Sequence, residues 1–417
     1  MPAPLAAIRT LALLVGLMAL GAAPAGAAPA QAAGQPRGSL VIAGGALRAD
    51  NAQVWRRIVE LAGGDGARIA VFPTAAGNPE RSGRFIADTL ARFGARPFLV
   101  PLAPRLAGSD VRKTADDAAL AASVAAAGGA FFTGGDQGRI TAALRRPDGS
   151  NSALLDALWQ MYRRGGVIAG TSAGAAIMSS TMFYEGQAPL PTLKNGIVDG
   201  RDIAPGLGFI GDEVFVDQHL LVRGRFARML PAMLAKRYRL GLGIDENSAA
   251  VVTRAPGKPG LVIDVIGYKG ALLLDLSEAR VDPAQPAFNV AGARISYLDS
   301  GDRYETASAT FTPGADKEKV DADSPSWRGP VFAADILGNT SVVDLLWKLG
   351  DSNQDSATGI AFGGPESATP ERGFEFAFRR MPDSEAHASN RADSYSVYRI
   401  RLDVRPVRFS QPLYRPE

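Results

Sequence analysis

The sequence predicts an α/β protein in which helices flank a parallel β-sheet, with strand-rich additions and a C-terminal extension. From Gly38 onward, short runs of β-branched residues alternate with amphipathic stretches, which is typical of successive βα units. After about residue 255 the helical periodicity gives way to closely spaced segments of strand-like sequence. The composition, 46% hydrophobic and 21% charged, is that of a soluble globular protein.

The first thirty residues differ from the rest of the chain and predict a signal peptide over residues 1–30. Arg9 is their one charged residue, residues 11–20 are apolar, and a tract of Ala, Gly and Pro follows. The apolar run is too short to span a bilayer, and Ala25-Gly26-Ala27 or Ala28-Pro29-Ala30 offers small residues for cleavage. We therefore expect a secreted protein, extracellular or periplasmic, without a stable membrane anchor. An uncleaved anchor or an alanine-rich tail is the alternative.

The predicted catalytic domain, residues 38–315, begins with alternating strands and helices. Strands are expected at 39–42, 68–72, 97–101, 130–133 and 167–170, and helices at 51–62 and 84–93, where apolar residues fall on one face. Each strand ends in glycines or small polar residues. Because ligands of open α/β sheets bind beyond the carboxyl ends of the strands, we expect the chemistry in loops 133–137 and 171–175.

The later part of the chain is richer in strands. Within the catalytic domain, further strands are expected at 261–266, 271–276, 293–298 and 306–311. Residues 316–417 form a predicted C-terminal αβ extension, to which the sequence assigns no role. It is expected to start with a polar loop at 316–328 and to contain a helix near 341–349. Apolar and polar residues then alternate through 398–405, as in a half-buried strand.

Charge and composition exclude several classes of function. The 45 basic and 42 acidic residues nearly balance, so no footprint for a nucleic acid is present. The absence of Cys excludes a thiol nucleophile, a thiolate zinc site and an iron–sulfur cluster. With two His residues, a multi-histidine metal centre is not expected. The sequence therefore predicts no metal and no cofactor.

The sequence Gly-Thr-Ser-Ala-Gly at residues 170–174 matches the G-x-S-x-G pattern of a nucleophilic serine. It follows the strand at 167–170 and precedes a helix-like stretch at 175–183. A strand-to-helix turn would expose Ser172 beyond the sheet, and the start of a helix favours developing negative charge nearby. The alternative is a turn of small residues that merely lets a helix pack closely on a strand, and the pattern alone leaves both open.

A serine nucleophile needs a base, and His219 and His387 are the two candidates. His219 follows an apolar segment, 213–216, that predicts the end of a strand, whereas His387 lies in a hydrophilic stretch typical of a surface loop. A catalytic base must be held in place, so we predict His219. Asp245 and Glu246 are adjacent carboxylates, either of which could orient the imidazole or could instead be a helix cap or a surface charge.

Five motifs occur in an order that resembles the cyanophycinases of peptidase family S51, and they span residues 132–137, 170–175, 217–219, 223–225 and 243–246. The resemblance covers roughly residues 38–315. It implies a class I glutamine-amidotransferase-like fold and cleavage of cyanophycin, a poly-aspartate with arginine joined to each β-carboxyl. The implied products are β-aspartyl-arginine dipeptides.

The resemblance also implies a role for individual residues. Ser172 would be the nucleophile, His219 the base and Glu246 its orienting partner. The backbone N–H groups of Gly135 and Ala173 would form the oxyanion hole. The implied substrate-binding residues are Gln137, Asp217, Gln218, Arg223, Arg225 and Arg228. Arginine forks bind carboxylates and amides or acids bind guanidinium groups, although the three arginines could instead form a solvated helix face.

Three other functions compete with this one. The nearest is a dipeptidase or exopeptidase of the same family that acts on other aspartyl peptides. An esterase of the α/β-hydrolase type would place the histidine last in the triad and would need His387. A secreted binding protein of the same fold would hold a ligand without turnover. The oligomeric state stays open, with a homodimer as one option.

Overall fold

The computed structural model describes residues 35–255, 257, 259–321, 323–410 and 412–413. The described residues from Pro36 onward form one compact unit. The predicted signal peptide lies outside the described residues. Within them, no helix is both long and apolar enough to cross a bilayer.

Strands and helices alternate in the first half of the chain, and strands dominate the second half. The first half contains β1 (Ser39–Ala43), α1 (Ala52–Leu61), β2 (Arg68–Phe72), α2 (Pro79–Arg92), β3 (Arg96–Leu99), α3 (Val111–Ala115), α4 (Ala118–Ala125), β4 (Gly129–Phe132), α5 (Gln137–Leu144), α6 (Ala153–Arg164), β5 (Val167–Thr171), α7 (Ala173–Ala176), β6 (Thr181–Phe183), α8 (Pro189–Asn195) and β7 (Ile203–Pro205). The second half contains β8 (Val214–Gln218), α9 (Phe226–Lys236), β9 (Leu240–Ile244), β10 (Ser248–Thr253), β11 (Val262–Gly267), β12 (Ala271–Asp275), β13 (Val290–Leu298), β14 (Arg303–Glu305), β15 (Thr310–Thr312), β16 (Lys317–Lys319), β17 (Val331–Ala333), α10 (Ser341–Gly350), β18 (Ser356–Phe362), β19 (Arg372–Arg379), β20 (Glu385–Ser389) and β21 (Tyr395–Arg408).

The first sheet has nine strands in the order β15-β14-β11-β10-β1-β5-β4-β2-β3. Strands β1 to β5 form the parallel part of this sheet. Strand β10 pairs with β1 in the antiparallel sense, and the strands beyond β10 are antiparallel as well. The four inner parallel strands, β1, β2, β4 and β5, are almost fully buried, as expected for a sheet covered on both faces by helices, whereas the edge strand β3 is partly exposed. The predicted α/β class, with strand-rich additions, is confirmed.

Local sequence explains where the flanking helices begin. The side chain of Asn51 accepts a hydrogen bond from Val54 N at the start of α1. Helix α2 starts earlier than the predicted residue 84, because the Asn78 side chain caps it and Pro79 occupies its first turn. This longer helix carries a further turn of side chains toward the carboxyl edge of the sheet.

The second sheet has ten strands, of which eight follow the order β17-β18-β19-β21-β13-β12-β9-β8 and two, β16 and β20, pair beside β21. Strand β13 lies before residue 316 and pairs with β21, which lies after it. The predicted catalytic domain and C-terminal extension therefore contribute strands to one sheet. Their assignment to separate functional domains stays a prediction.

The predictions for two elements are wrong. The helix-like stretch at 175–183 ends at Ala176, and Thr181–Phe183 is instead strand β6, paired with β7. Ser179 explains the change, since its Oγ donates to Thr181 O at 2.7 Å and so competes with helical hydrogen bonds. The strand predicted at 306–311 is displaced: β14 and β15 form a hairpin with the turn between Glu305 and Thr310.

The stretch around His387 is not a surface loop. It forms β20, which pairs with β16 on one side and β21 on the other, so the predicted loop at 316–328 also contains a strand. His387 is buried, and its ring packs edge-on against Phe311 with centroids 5.7 Å apart. The stretch resembles a loop because one of its two partners, β16, is both distant in the chain and polar, so local sequence does not indicate the pairing that buries His387.

Candidate active site

Ser172 occupies a sharp turn between β5 and α7 at the carboxyl edge of the first sheet. Its φ of 54° lies in the left-handed region, which a non-glycine residue adopts only when the surrounding structure enforces it. The neighbours must be small: a β-carbon at Gly134 would lie 3.2 Å from Ser172 Cβ. Helix α7 is four residues long, much shorter than predicted, so the turn itself, more than a helix terminus, defines the position of the hydroxyl.

The structure brings the three predicted triad residues together. Ser172 Oγ lies 2.8 Å from His219 Nε2, and His219 Nδ1 lies 2.6 Å from Glu246 Oε1. With the proton on Nδ1, the imidazole donates to Glu246 and accepts the hydroxyl proton of Ser172. This is the geometry that nucleophilic catalysis by serine requires. Of the two adjacent carboxylates left open by the sequence, Glu246 is the one that contacts the imidazole.

Asp245 has a different position. Its side chain is fully buried, and Oδ1 accepts hydrogen bonds from Leu221 N at 3.0 Å and Val222 N at 3.3 Å. Lys269 Nζ lies 3.0 Å from Oδ2. Asp245 therefore holds the backbone that immediately follows His219, and it positions the imidazole without touching it.

The end of strand β1 anchors all three segments of the site through its backbone. Three successive carbonyl groups accept hydrogen bonds from three residues that all have positive φ, at 54°, 52° and 56°. Ser172 N donates to Ala43 O at 3.1 Å, His219 N to Gly44 O at 2.7 Å and Asn247 N to Gly45 O at 2.8 Å. The site is thus assembled on one short piece of main chain, of which the sequence pattern indicates only a strand that ends in glycines.

Gly45 and Gly135 are positions where only glycine fits. Gly45 has a φ of +126°, and a β-carbon there would overlap the imidazole of His219. Gly135 has a φ of +141°, and a β-carbon there would overlap the carbonyl of Ala75. Gly45 lets main chain lie directly on the catalytic imidazole, and Gly135 lets the loop after β4 pack closely against the main chain of Ala75.

The predicted oxyanion-hole donors lie beside the nucleophile. Ala173 follows Ser172 directly, and Gly135 follows Gly134, which contacts Ser172. In the part of the chain that the structure describes, neither the Gly135 nor the Ala173 N–H donates a hydrogen bond to another protein group. Free backbone donors next to a nucleophile can stabilise a tetrahedral oxyanion. Their catalytic role stays a prediction.

Burial lowers the pKa of His219 below its ordinary value. The hydrogen bond that His219 donates to Glu246 raises the pKa instead, and the positive charges of Arg223 and Arg225 reinforce the lowering. The imidazole therefore remains neutral to a lower pH than a solvated histidine would. A neutral imidazole is the form that accepts the hydroxyl proton.

Two of the predicted substrate-binding residues are paired with each other. Arg228 donates to both oxygens of Asp217, with Nε at 2.7 Å and Nη2 at 2.8 Å, and both side chains are buried. The Arg228 guanidinium also lies over the Phe183 ring, 3.9 Å from its centroid. The ion pair joins α9 to β8, the contact with Phe183 adds β6, and neither charged side chain is directed into open space.

The other four predicted substrate-binding residues have different surroundings. Gln137 Nε2 donates to Phe183 O at 2.8 Å, which fixes the loop after β6. Gln218 Oε1 lies 3.5 Å from Ser172 Oγ. Arg225 donates to Gln218 O at 2.8 Å, and burial lowers its pKa to about 10, so the guanidinium remains charged at neutral pH. Arg223 is exposed.

A cavity of about 520 Å³ opens at the nucleophile and is lined in part by residues that the sequence analysis did not single out. The floor of the cavity is formed by five residues, Ser172, His219, Thr133, Gly134 and Thr171. The rest of its wall comes from the segment after β1 and from helix α2, which contribute Ala46, Leu47, Arg81, Ser82, Phe85 and Ile86. The helical periodicity of α2 could have indicated an exposed face there, but not that this face points toward Ser172.

Comparison with known proteins adds a family and several relatives. The family model described as peptidase family S51 matches residues 40–255. A cyanophycinase of Trichormus variabilis is 31% identical over 281 residues, which cover 66% of this chain and 87% of the relative. A cyanophycinase of Synechococcus elongatus is 30% identical over 274 residues, 64% of this chain and 78% of the relative. Among solved structures, a peptidase from an acI-B1 Actinobacterium is 22% identical, with a TM-score of 0.45 over 65% of this chain and 98% of that one.

Proposed function

Because this chain belongs to peptidase family S51 and is a serine-type peptidase, we propose that it hydrolyses cyanophycin to β-aspartyl-arginine dipeptides. The observation that carries the proposal is the contact of Ser172 with His219, and of His219 with Glu246, at the edge of the sheet. The similarity to cyanophycinases over about two-thirds of the chain supports the choice of substrate.

The proposed reaction passes through an acyl-enzyme. Ser172 Oγ attacks the scissile carbonyl while His219 Nε2 takes its proton, and Glu246 stabilises the resulting imidazolium. The N–H groups of Gly135 and Ala173 bind the oxyanion. His219 then gives the proton to the leaving amine, and in the second half-reaction it activates the water that hydrolyses the ester.

The polar and charged groups predicted to bind substrate are complementary to a substrate that carries both carboxylates and guanidinium groups. Arg225 and the exposed Arg223 can pair with carboxylates, and the Gln218 amide can accept from a guanidinium. When the arginine branch is missing, groups built to pair with it stay unpaired, at a cost of roughly 1–3 kcal/mol each. The enzyme should therefore cleave cyanophycin and leave plain poly-aspartate largely intact.

Product analysis tests this proposal. The enzyme is incubated with cyanophycin granules and, separately, with poly-aspartate, and the products are separated by mass. β-Aspartyl-arginine from the first and little product from the second is the expected result. Arg225→Ala should slow the cleavage of cyanophycin about tenfold or more, while a fluorophosphonate probe still labels Ser172. Equal rates on both polymers would leave a serine peptidase that acts on other aspartyl peptides.

We propose further that the enzyme is secreted, on the basis of the apolar segment at 11–20 and the small residues that follow it. The mature chain should begin between Ala28 and Gly34. The intact mass of protein recovered outside the cytoplasm is the measurement. A mass that includes residues 1–20 would contradict cleavage.

A further inference from the structure

The cavity at Ser172 extends away from the residues that the family resemblance assigns to the substrate. Of the described residues that line it, none belongs to the set formed by Gln137, Asp217, Gln218, Arg223, Arg225 and Arg228. Its wall is built instead by helix α2 and by the segment after β1. A peptidase must bind its substrate on both sides of the scissile bond. The wall beside the nucleophile, to which no role is assigned, is therefore a candidate for binding one of these two sides.

The position of His219 determines on which side of Ser172 the leaving group lies. In acyl transfer the base that takes the serine proton delivers it to the leaving amine, so the leaving group departs on the side of the imidazole. The main chain of Gly45 packs directly on the imidazole, and the next residues, Ala46 and Leu47, line the cavity. The cavity therefore begins where the leaving group must lie.

The chemistry of the wall is that of an anion-binding site with an apolar platform. Arg81 is the one permanently charged side chain among the described residues of the lining, and it has no ion-pair partner among them. Phe85, one turn further along α2, is 46% exposed although it is a large apolar residue. Leu47 and Ile86 complete the apolar surface.

A buried hydroxyl group provides an independent indication of a ligand. Thr133 is 2% exposed and lines the cavity, and within the described residues its Oγ1 has no hydrogen-bond partner. Thr171 Oγ1, on the same floor, is likewise buried and unpaired there. Buried hydroxyls without partners are uncommon because each costs free energy, and a bound substrate would supply the missing partner.

We propose that this cavity is the leaving-group subsite and that it binds the aspartyl-arginine unit on the amine side of the scissile bond. Arg81 pairs with a carboxylate of that unit, and Phe85 packs against its aliphatic arm and guanidinium face. Thr133 hydrogen-bonds to a polar group of its backbone. The volume of about 520 Å³ lies within the range of about 300–1,000 Å³ that is typical of sites for small ligands, so one dipeptide unit fits. This inference rests on the proposed function.

The test uses two synthetic dimers of the β-aspartyl-arginine unit that share the same acyl half. In one dimer the leaving unit has free carboxylates, and in the other these carboxylates are amidated. Wild-type enzyme should cleave the free-acid dimer with a kcat/KM about tenfold or more above that of the amide. Arg81→Ala should bring this ratio close to one, and Phe85→Ala should lower kcat/KM for both dimers. Arg84→Ala is the matched control, since Arg84 lies on the same helix, pairs with Glu80 and does not line the cavity.

Fluorophosphonate labelling of Ser172 at the wild-type rate verifies that each variant retains its nucleophile. An Arg81→Ala enzyme that keeps the wild-type ratio overturns the inference and leaves the proposed function in place. A ratio that changes equally in Arg84→Ala also overturns it, because the effect would then be one of general charge. Wild-type enzyme that cleaves neither dimer nor cyanophycin overturns the proposed function and this inference together.

Discussion

Two regions of the molecule bury polar groups in opposite ways. The first is the catalytic edge, formed by Ser172, His219, Glu246 and the loops that carry them. The second is the ion-pair cluster of the second sheet, formed by Lys317, Asp302 and Ser396. At the catalytic edge, left-handed residues and unpaired buried hydroxyls persist. In the ion-pair cluster, Lys317 Nζ lies 2.7 Å from Asp302 Oδ1 and 2.9 Å from Ser396 Oγ, and both charged side chains are fully buried.

The difference in hydrogen bonding indicates that the catalytic edge serves the reaction, whereas the ion-pair cluster serves the stability of the fold. Strained backbone and free hydrogen-bonding groups cost free energy and persist where a substrate will use them. A buried charge without a partner has no such use, and the cluster leaves none: Asp302 also accepts hydrogen bonds from Gly314 N at 2.9 Å and Asp299 N at 2.8 Å. Substitutions at the catalytic edge should therefore change turnover, and substitutions in the cluster should change the free energy of unfolding.

The largest expected effect is on turnover. Ser172→Ala and His219→Ala should each lower kcat by about 10⁴- to 10⁶-fold, since the two residues act as a unit. The unfolding midpoint of Ser172→Ala should stay near that of the wild type, whereas His219→Ala should lower it somewhat, because the buried imidazole packs against the main chain of Gly45. His387→Gln is the control, and its activity should stay within about twofold of wild type. An inactive His387→Gln enzyme beside an active His219→Ala enzyme would reverse the assignment of the base.

The adjacent carboxylates Asp245 and Glu246 should differ in the same way, one affecting stability and the other turnover. Glu246→Gln should lower kcat by about 10³- to 10⁴-fold, because the amide no longer stabilises the imidazolium. Its stability to urea should change little, since Glu246 is partly exposed. Asp245→Asn should instead lower the free energy of unfolding, because the buried carboxylate loses its ion pair with Lys269. Steady-state kinetics and urea unfolding of both variants decide the matter, and the opposite division of effects would contradict it.

The ion-pair cluster should respond in stability alone. Lys317→Met leaves Asp302 buried without its cation, and the free energy of unfolding should fall by about 3–5 kcal/mol. The matched control is Lys319→Met on the same strand, whose ion pair with Glu385 is exposed and should contribute about 0–1 kcal/mol. Urea denaturation measures both values. A kcat for Lys317→Met well below wild type at a temperature where the variant is folded would show that the two regions are coupled.

The smallest expected effect is a shift in pH dependence. The positive charge of Arg223 lowers the pKa of His219, so Arg223→Gln should raise this pKa. Because the neutral imidazole is the active form, the acid limb of kcat/KM should move to higher pH in the variant. The profile is normalised to its plateau, which removes any loss of substrate binding. Arg84→Gln, remote from His219, should leave the profile unchanged, and a shift to lower pH in Arg223→Gln would be the wrong sign.

Local sequence determined the elements that depend on neighbouring residues. Strand β2 has the predicted bounds, and β1 and β5 each end one residue later than predicted, because runs of apolar residues between turn-forming glycines suffice to specify buried strands. The turn at Ser172 follows from small residues on both sides of it. His219 emerged as the base candidate because the chain has only two histidines.

Tertiary structure decided what depends on side-chain direction and on contacts between distant segments. Asp245 and Glu246 are adjacent and chemically alike, yet one carboxylate lies under the loop after His219 and the other on its imidazole. His387 is buried because β20 lies between β21, a strand that local alternation predicts, and β16, a distant polar strand that local sequence does not reveal. The wall of the cavity belongs in part to α2, and only the fold brings the exposed side chain of Phe85 into the same cavity as Ser172. Local pattern specifies which residues form an element, whereas the packing of elements specifies what each side chain meets.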